Sequence, residues 1–169
     1  LSNNSSQIIL VPGFIASDQN GKITTSGRGG SDYTASLLAN YLNASSLEIW
    51  TDVSGMYTAN PNLVFQALPI PKLSYHEAME LSHFGAKVIY PPTLQPLMER
   101  EIPILIKNTF DAAAEGTRID SNGTSDGVNA TVVKGVSHIE KVALINLEGS
   151  GMIGIPGFSK RLFECLSLK

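Results

Sequence analysis

The chain has 169 residues, of which 43% are hydrophobic and 16% charged, so it can bury a core and is not disordered by composition. Its net charge of −3 argues against a nucleic-acid footprint, and no uninterrupted apolar run is long enough to span a bilayer. One cysteine, Cys165, excludes an internal disulfide framework and a cysteine-rich zinc site.

Gln7–Val11 reads as a buried strand ended by Pro12 and Gly13. Phe14–Ala16 and Ile23–Thr25 flank Asp18-Gln19-Asn20-Gly21, a hairpin with Asn-Gly turn chemistry. A helix follows from about Ser31 to Asn43, capped by Ser31 or Asp32, with Tyr33, Leu37, Leu38, Tyr41 and Leu42 along one stripe. Leu47–Thr51 is the next strand, and the βα alternation suggests a largely parallel sheet.

Ser74-Tyr75-His76-Glu77 is a capping box that opens a second helix, with Tyr75, Ala78, Met79 and Ser82 on one face. Pro91–Thr93 begins a short helix, and Ile102–Lys107 reads as a strand. From Asp111 to about Asn129 apolar residues thin out, which predicts a linker or a long surface connection. Val142–Leu147 then reads as a strand, followed by a glycine loop and a helix from Pro156 with Phe158, Leu162, Phe163 and Leu166 on its apolar side. Cys165 falls on that side too and is expected in a core; Trp50, inside a strand, is read the same way.

The first chemically suggestive stretch is Gly27-Arg-Gly-Gly-Ser-Asp-Tyr-Thr-Ala35. Gly29 and Gly30 can take backbone angles closed to other residues, so successive N–H groups can point into one hollow. A helix N-terminus adds partial positive charge, and the fork of Arg28 fits a carboxylate or phosphate. The stretch therefore suits a small anion, with a plain glycine turn beside a solvated arginine as the alternative. A second cluster, Thr51-Asp52-Val53-Ser54-Gly55-Met56-Tyr57-Thr58, follows a strand end, where open α/β sheets bind ligands. A packed Asx turn explains it equally well. The third is Phe84-Gly85-Ala86-Lys87-Val88, where Lys87 is either a phosphate-neutralising charge or an answer to a helix dipole. His76, His83 and His138 are scattered, which argues against a metal site.

Taken together, these clusters resemble the amino-acid kinase family, and within it the aspartate kinases. The resemblance runs over residues 27–35, Glu48–Val53, Gly55–Thr58, Ser74–Lys87 and Ile106-Lys-Asn-Thr109, in family order. The stretches Ser74–Lys87, Lys107-Asn108-Thr109 and Val133-Lys-Gly-Val-Ser137 look most like the kinase half of bifunctional aspartokinase/homoserine dehydrogenases. The resemblance implies ATP-dependent phosphorylation of the aspartate side-chain carboxylate to 4-phosphoaspartate, with Mg²⁺ carried by ATP. It implies that Arg28, with Gly29 and Gly30, holds the substrate α-carboxylate, while Ser31 and Asp32 complete the pocket around carboxylate and amine. Thr51, Asp52 and Tyr57 would lie along the nucleotide, and Lys87 and Val88 would contact it near the phosphates, with Lys87 in the catalytic role.

The sequence departs from the family in carrying Asn60-Pro61-Asn62 where Asp-Pro-Arg is common, so nucleotide contact from that position is not implied. The family's opening Lys-Phe-Gly-Gly segment and an acidic residue for the substrate amine are also missing. Leu1 in place of Met, and a helical pattern that runs to the chain's end, add to the expectation of a fragment that is inactive alone. The expected architecture is α/β: residues 1–118 as the C-terminal part of a kinase domain with a mainly parallel sheet between helices, 119–132 as linker, and 133–169 as the first strand and helix of an ACT regulatory domain. Gly149-Ser-Gly-Met-Ile-Gly154 matches the dinucleotide pattern Gly-x-Gly-x-x-Gly, but the kinase resemblance favours ACT, with Gly151, Met152 and Ile153 lining an effector site for threonine. A truncated sheet is expected to expose an unpaired edge and apolar surface, which predicts self-association into a homo-oligomer; the expected location is the cytosol, with neither nucleic acid nor membrane as partner. A competing reading treats the 169 residues as a catalytically silent piece used for binding or assembly.

Overall fold

In the computed structural model, residues 8–83, 88–123, 133–143 and 157–167 are described. The chain divides into two compact units, Leu1–Ile139 and Glu140–Lys169.

The first unit opens with a two-stranded antiparallel hairpin, β1 (Ile15–Ser17) and β2 (Ile23–Thr25). Asp18 Oδ1 accepts the N–H groups of Asn20 and Lys22, each at 2.8 Å, and Gly21 takes a left-handed φ of 76°, so the expected turn chemistry is what closes it. Residues 8–11 do not form the expected buried strand: Ile8 and Leu10 are 99% and 94% exposed. A strand needs a neighbour for its N–H and C=O groups, and among the described residues this run has none.

Helix α1 (Gly30–Leu42) leads into strand β3 (Leu47–Thr51). Strand β4 (Lys72–Ser74) runs directly into helix α2 (Tyr75–His83). A 3₁₀ turn (Pro91–Thr93) and helix α3 (Leu94–Met98) precede strand β5 (Ile104–Asn108), and strand β6 (Thr117–Asp120) follows. These four strands form one sheet in the order β3-β5-β6-β4. β3 pairs with β5 and β4 with β6 in parallel, while β5 and β6 are antiparallel, so the expected mainly parallel sheet holds for two of the three pairings.

Strand β6 lies inside the stretch read as a surface connection. In the run Thr-Arg-Ile-Asp, Thr117, Ile119 and Asp120 are buried and Arg118 is exposed, and the run is too short to raise local hydrophobicity. Residues 133–139, read as the start of the next domain, belong to the first unit.

Ile49, Leu73, Ile104, Ile106 and Ile119 give the sheet one buried face, which packs with Ala39, Ala78, Leu94 and Leu97 of the helices. Trp50 points the other way. It is 46% exposed, donates to Glu48 Oε2 at 3.0 Å and lies under the Lys107 ammonium, 5.0 Å from its ring centroid. The pleat puts it on the face opposite buried Ile49, beside Glu48 and Lys107, and that overrides the apolar reading. The α1 stripe also shifts: Ser36 and Ala39 face inward, while Tyr41 and Leu42 are exposed.

The α2 capping box is present in both directions. Ser74 N–H donates to Glu77 Oε2 at 2.7 Å, and Glu77 N–H donates to Ser74 Oγ at 3.2 Å. The other carboxylate oxygen of Glu77 pairs with Lys134 at 2.7 Å. Burial pushes the Glu77 carboxyl up, but Lys134 and the Ser74 hydrogen bonds outweigh it and hold the group below its ordinary value. Asp120 behaves alike: burial raises it, whereas Arg118, the Asn122 N–H and Lys72 bring it below the usual aspartate value.

In the second unit, helix α4 spans Phe158–Ser167. Phe163 and Leu166 are exposed, and Cys165 is exposed rather than buried, because nothing in this short unit covers that face among the described residues. The strand expected at Val142–Leu147 lies mostly outside the described residues, and so does the glycine loop after it.

Both Glu77 and Asp120 titrate lower folded than unfolded, so the folded state binds fewer protons and gains stability as pH rises. Stability of the first unit should therefore fall as pH drops below 4.5, the unperturbed glutamate value, and continue falling below 3.8, that of aspartate. Urea unfolding between pH 7 and pH 2.5 checks this, and Glu77→Gln should flatten the profile.

Candidate active site

The chain reverses between α1 and β3 within a few residues: Ala44 N–H returns to Ala39 O at 2.9 Å, and Leu47 N–H pairs with Pro103 O at 2.9 Å. Helix and strand are thus antiparallel neighbours. A 13-residue helix rises about 20 Å and a five-residue strand about 17 Å, so the helix start overlooks the strand end. Residues 27–32 and 51–58 are brought to one end of the sheet by this topology.

At the helix start, Gly27 and Gly29 both take left-handed φ values, 76° and 71°. Gly30 N–H closes a turn onto Gly27 O at 3.1 Å, and Tyr33 N–H pairs with Gly29 O at 3.0 Å. The N-cap is Gly29, with no side-chain cap, rather than Ser31 or Asp32. A side-chain cap would need the extended backbone usual at that position, which the left-handed turn replaces. Consequently the N–H groups of Ser31 and Asp32 have no acceptor among the described residues. Arg28 is exposed beside them and forms no ion pair among the described residues. Two donors without acceptors among the described residues, a helix dipole and a guanidinium at one point are the groups an anion would bind.

Gly29 is glycine for a second reason. A Cβ there would lie 2.4 Å from Cβ and Cγ of Tyr90, so the turn rests on that ring. Gly30 is similarly close to Ser26, and Gly13 to Ser31. The loop from residue 13 is thereby packed under the helix start, tied by Ser26 N–H to Phe14 O at 2.9 Å. Asp32 sits in the first helical turn, where burial pushes its carboxyl above the ordinary aspartate value.

At the strand end, Thr51 Oγ1 donates to Asp52 Oδ1 at 3.1 Å, and the Asp52 side chain is exposed. Asn108, at the end of β5, donates to Ser54 Oγ at 2.9 Å. Met56 and Thr58 pair with the chain ahead of β4 through Ile70 N–H to Met56 O at 2.7 Å and Thr58 N–H to Leu68 O at 2.8 Å. Tyr57 bridges Pro69 and is half-buried. Asn60 Oδ1 accepts the Asn62 N–H at 3.0 Å, so the atypical Asn-Pro-Asn builds the turn of an excursion whose tip, Phe65, is fully exposed.

Of the expected site residues, Arg28, Gly29, Gly30, Ser31, Asp32, Thr51, Asp52 and Tyr57 come to one end of the first unit. Val88 is half-buried against the core. Lys87 lies outside the described residues, as do Gly151, Met152 and Ile153. Three supports were not read from sequence: Tyr90 beneath Gly29, Asn108 on Ser54, and Thr117 on Met56. Thr117 and Ile119, one position either side of the charged Arg118, are the signal that points to the last.

The amino acid kinase family model matches residues 1–108. A bifunctional aspartokinase/homoserine dehydrogenase from Haemophilus influenzae is 47% identical over 161 residues, which is 95% of this chain and 19% of that relative. The chain thus spans about a fifth of that curated relative. Among solved structures, E. coli aspartokinase III in complex with aspartate and ADP (R-state) aligns with a TM-score of 0.62 and 48% identity, covering 64% of this chain and 24% of that one. The same enzyme in complex with lysine and aspartate (T-state) covers 92% of this chain and 34% of that one, at 36% identity and a TM-score of 0.62.

Two outcomes test this geometry. Gly29→Ala should destabilise the first unit by about 1–3 kcal/mol, through overpacking against Tyr90 and a strained φ, as read by thermal unfolding. Asp32→Asn should raise stability at pH 7, because a carboxyl whose folded value is raised opposes folding once ionised; the gain should vanish below pH 3.8.

Proposed function

Because the chain belongs to the amino acid kinase family, we propose that it forms part of an aspartate kinase whose substrate pocket is the Arg28 turn and whose nucleotide loop is residues 51–58. The observation that carries this reading is the pair of N–H groups at Ser31 and Asp32 and the Arg28 guanidinium beside them, all without partners among the described residues, at the same sheet end as Thr51 and Asp52. The α-carboxylate of L-aspartate meets Arg28 and the two amides. Its ammonium meets the Asp32 carboxylate, and that pairing offsets the burial which disfavours the ionised acid.

In the reaction, a side-chain carboxylate oxygen of aspartate bonds to the γ-phosphorus of MgATP as the bond to the β–γ bridging oxygen breaks. The products are 4-phosphoaspartate and ADP, with Mg²⁺ arriving as part of the nucleotide substrate. Such a transfer asks for positioning and charge neutralisation more than covalent help. Thr51, Asp52 and Tyr57 align the nucleotide, while Lys87 and Val88 approach its phosphates. The E. coli relative in complex with aspartate and ADP supports this pairing of ligands.

The same proposal assigns residues 1–118 to the kinase domain, 119–132 to a linker and 133–169 to the start of an ACT domain; a separate compact unit from Glu140 onward supports a second domain in that part of the chain. Gly151, Met152 and Ile153 would line a site for an amino-acid effector, threonine; the lysine-bound T-state relative supports an amino acid in such a role. Homo-oligomerisation and a cytosolic location belong to it as well. The outer edge of β3, which pairs with no strand among the described residues, supports the former.

Arg28→Ala should weaken aspartate binding 10–100-fold, the loss of about 1.5–3 kcal/mol expected for a charge-assisted hydrogen bond, while MgADP affinity stays within two-fold. Calorimetric titration of each ligand checks this. An alanine variant that holds aspartate as tightly as the unaltered chain would sink the assignment.

A further inference from the structure

Three points of the 51–58 loop are fixed by three different parts of the fold. Ser54 Oγ accepts from Asn108 at 2.9 Å, Thr58 O accepts the Val136 N–H at 2.8 Å, and Met56 N–H donates to Thr117 Oγ1 at 2.8 Å. The last differs in kind. Thr117 is 1% exposed, and its hydroxyl also donates to Ile70 O at 2.6 Å. One oxygen thus accepts from the loop and donates to the chain ahead of β4, using its single proton.

Its surroundings leave no slack. Gly55 has a φ of 105°, and a Cβ on it would lie 2.4 Å from Thr117 Oγ1. Gly116 has a φ of 77°, and a Cβ on it would lie 2.0 Å from Ile106 O. Gly55 thus lacks a side chain where backbone closes on the hydroxyl, and Gly116, next to Thr117 in the chain, lacks one where backbone closes on the Ile106 carbonyl. Tyr57 follows Met56 directly, so the amide held by Thr117 sets where that ring stands.

We propose that Thr117 is a positioning residue for the nucleotide loop, fixing Tyr57 for MgATP through the Met56 amide. This rests on the reading of residues 51–58 as the nucleotide site. Removing the hydroxyl while keeping the β-branched shape leaves a buried N–H and a buried C=O unpaired. The loop amide regains a partner by moving toward water. β4 and β6 keep their own ladder, so the sheet holds while Tyr57 drifts.

The test compares the unaltered chain with Thr117→Val and Thr117→Ser, by amide hydrogen exchange in NMR and by calorimetric titration with MgADP and with aspartate. Thr117→Val should speed exchange at Met56 at least tenfold with Ile106 unchanged. It should weaken MgADP about tenfold and leave aspartate within two-fold, and Thr117→Ser should restore both. Unchanged Met56 exchange in Thr117→Val, or unchanged MgADP affinity beside intact binding by the unaltered chain, overturns this proposal alone. A proportional loss of both ligands, or a folded Thr117→Ser that also loses MgADP, would assign the effect to packing and overturn it too; the serine variant decides the matter even where valine prevents folding. An unaltered chain that takes no MgADP would remove the nucleotide reading and this proposal with it.

Discussion

The first unit depends on the insertion of a four-residue strand, β6, between β5 and β4. Without it β4 has no partner, and α2, which starts where β4 ends, loses its platform. The insertion is possible because Gly116 lets the backbone close on the Ile106 carbonyl and Gly55 lets the loop after β3 close on Thr117. The same contact that completes the sheet also sets the loop at its end. Architecture and site share one constraint.

Tyr75 shows how the rest is built on that strand. It is buried, donates to Ile102 O at 2.6 Å and has its hydroxyl pushed up to about 12, chiefly by burial and then by Asp120 and Glu101. It stays neutral over the physiological range and serves as a plain donor, joining the first turn of α2 to the entry of β5. Asp120, at the end of β6, accepts from Asn122 and Gly123 and so turns the chain out of the sheet.

Much of this was legible in the sequence because the signals are local. The Asp18–Gly21 hairpin, the Ser74–Glu77 capping box and the strand at residues 47–51 each carry their reason within a few positions. What was not legible depends on neighbours far along the chain. Residues 8–11 look like a strand, yet pairing requires a second one beside them. Trp50 looks like core until the pairing of β3 turns Ile49 to the buried face and Trp50 to the other, beside Lys107 of β5. Residues 117–120 look like a linker because their burial comes from β5 and β4, not from their own composition. In the site, glycine identity announced the Arg28 turn, whereas the aromatic ring that forbids a side chain at position 29 comes from 61 residues later.

The position of Trp50 carries a consequence of its own. It is the sole indole in the sequence, and it stands half in water on the face of β3 opposite Ile49, under a lysine ammonium. Its emission should accordingly be that of a partly hydrated fluorophore and should move to shorter wavelength whenever another surface covers that face. The molecule thus contains an intrinsic optical gauge of what adheres to β3, one that needs no label and no engineering.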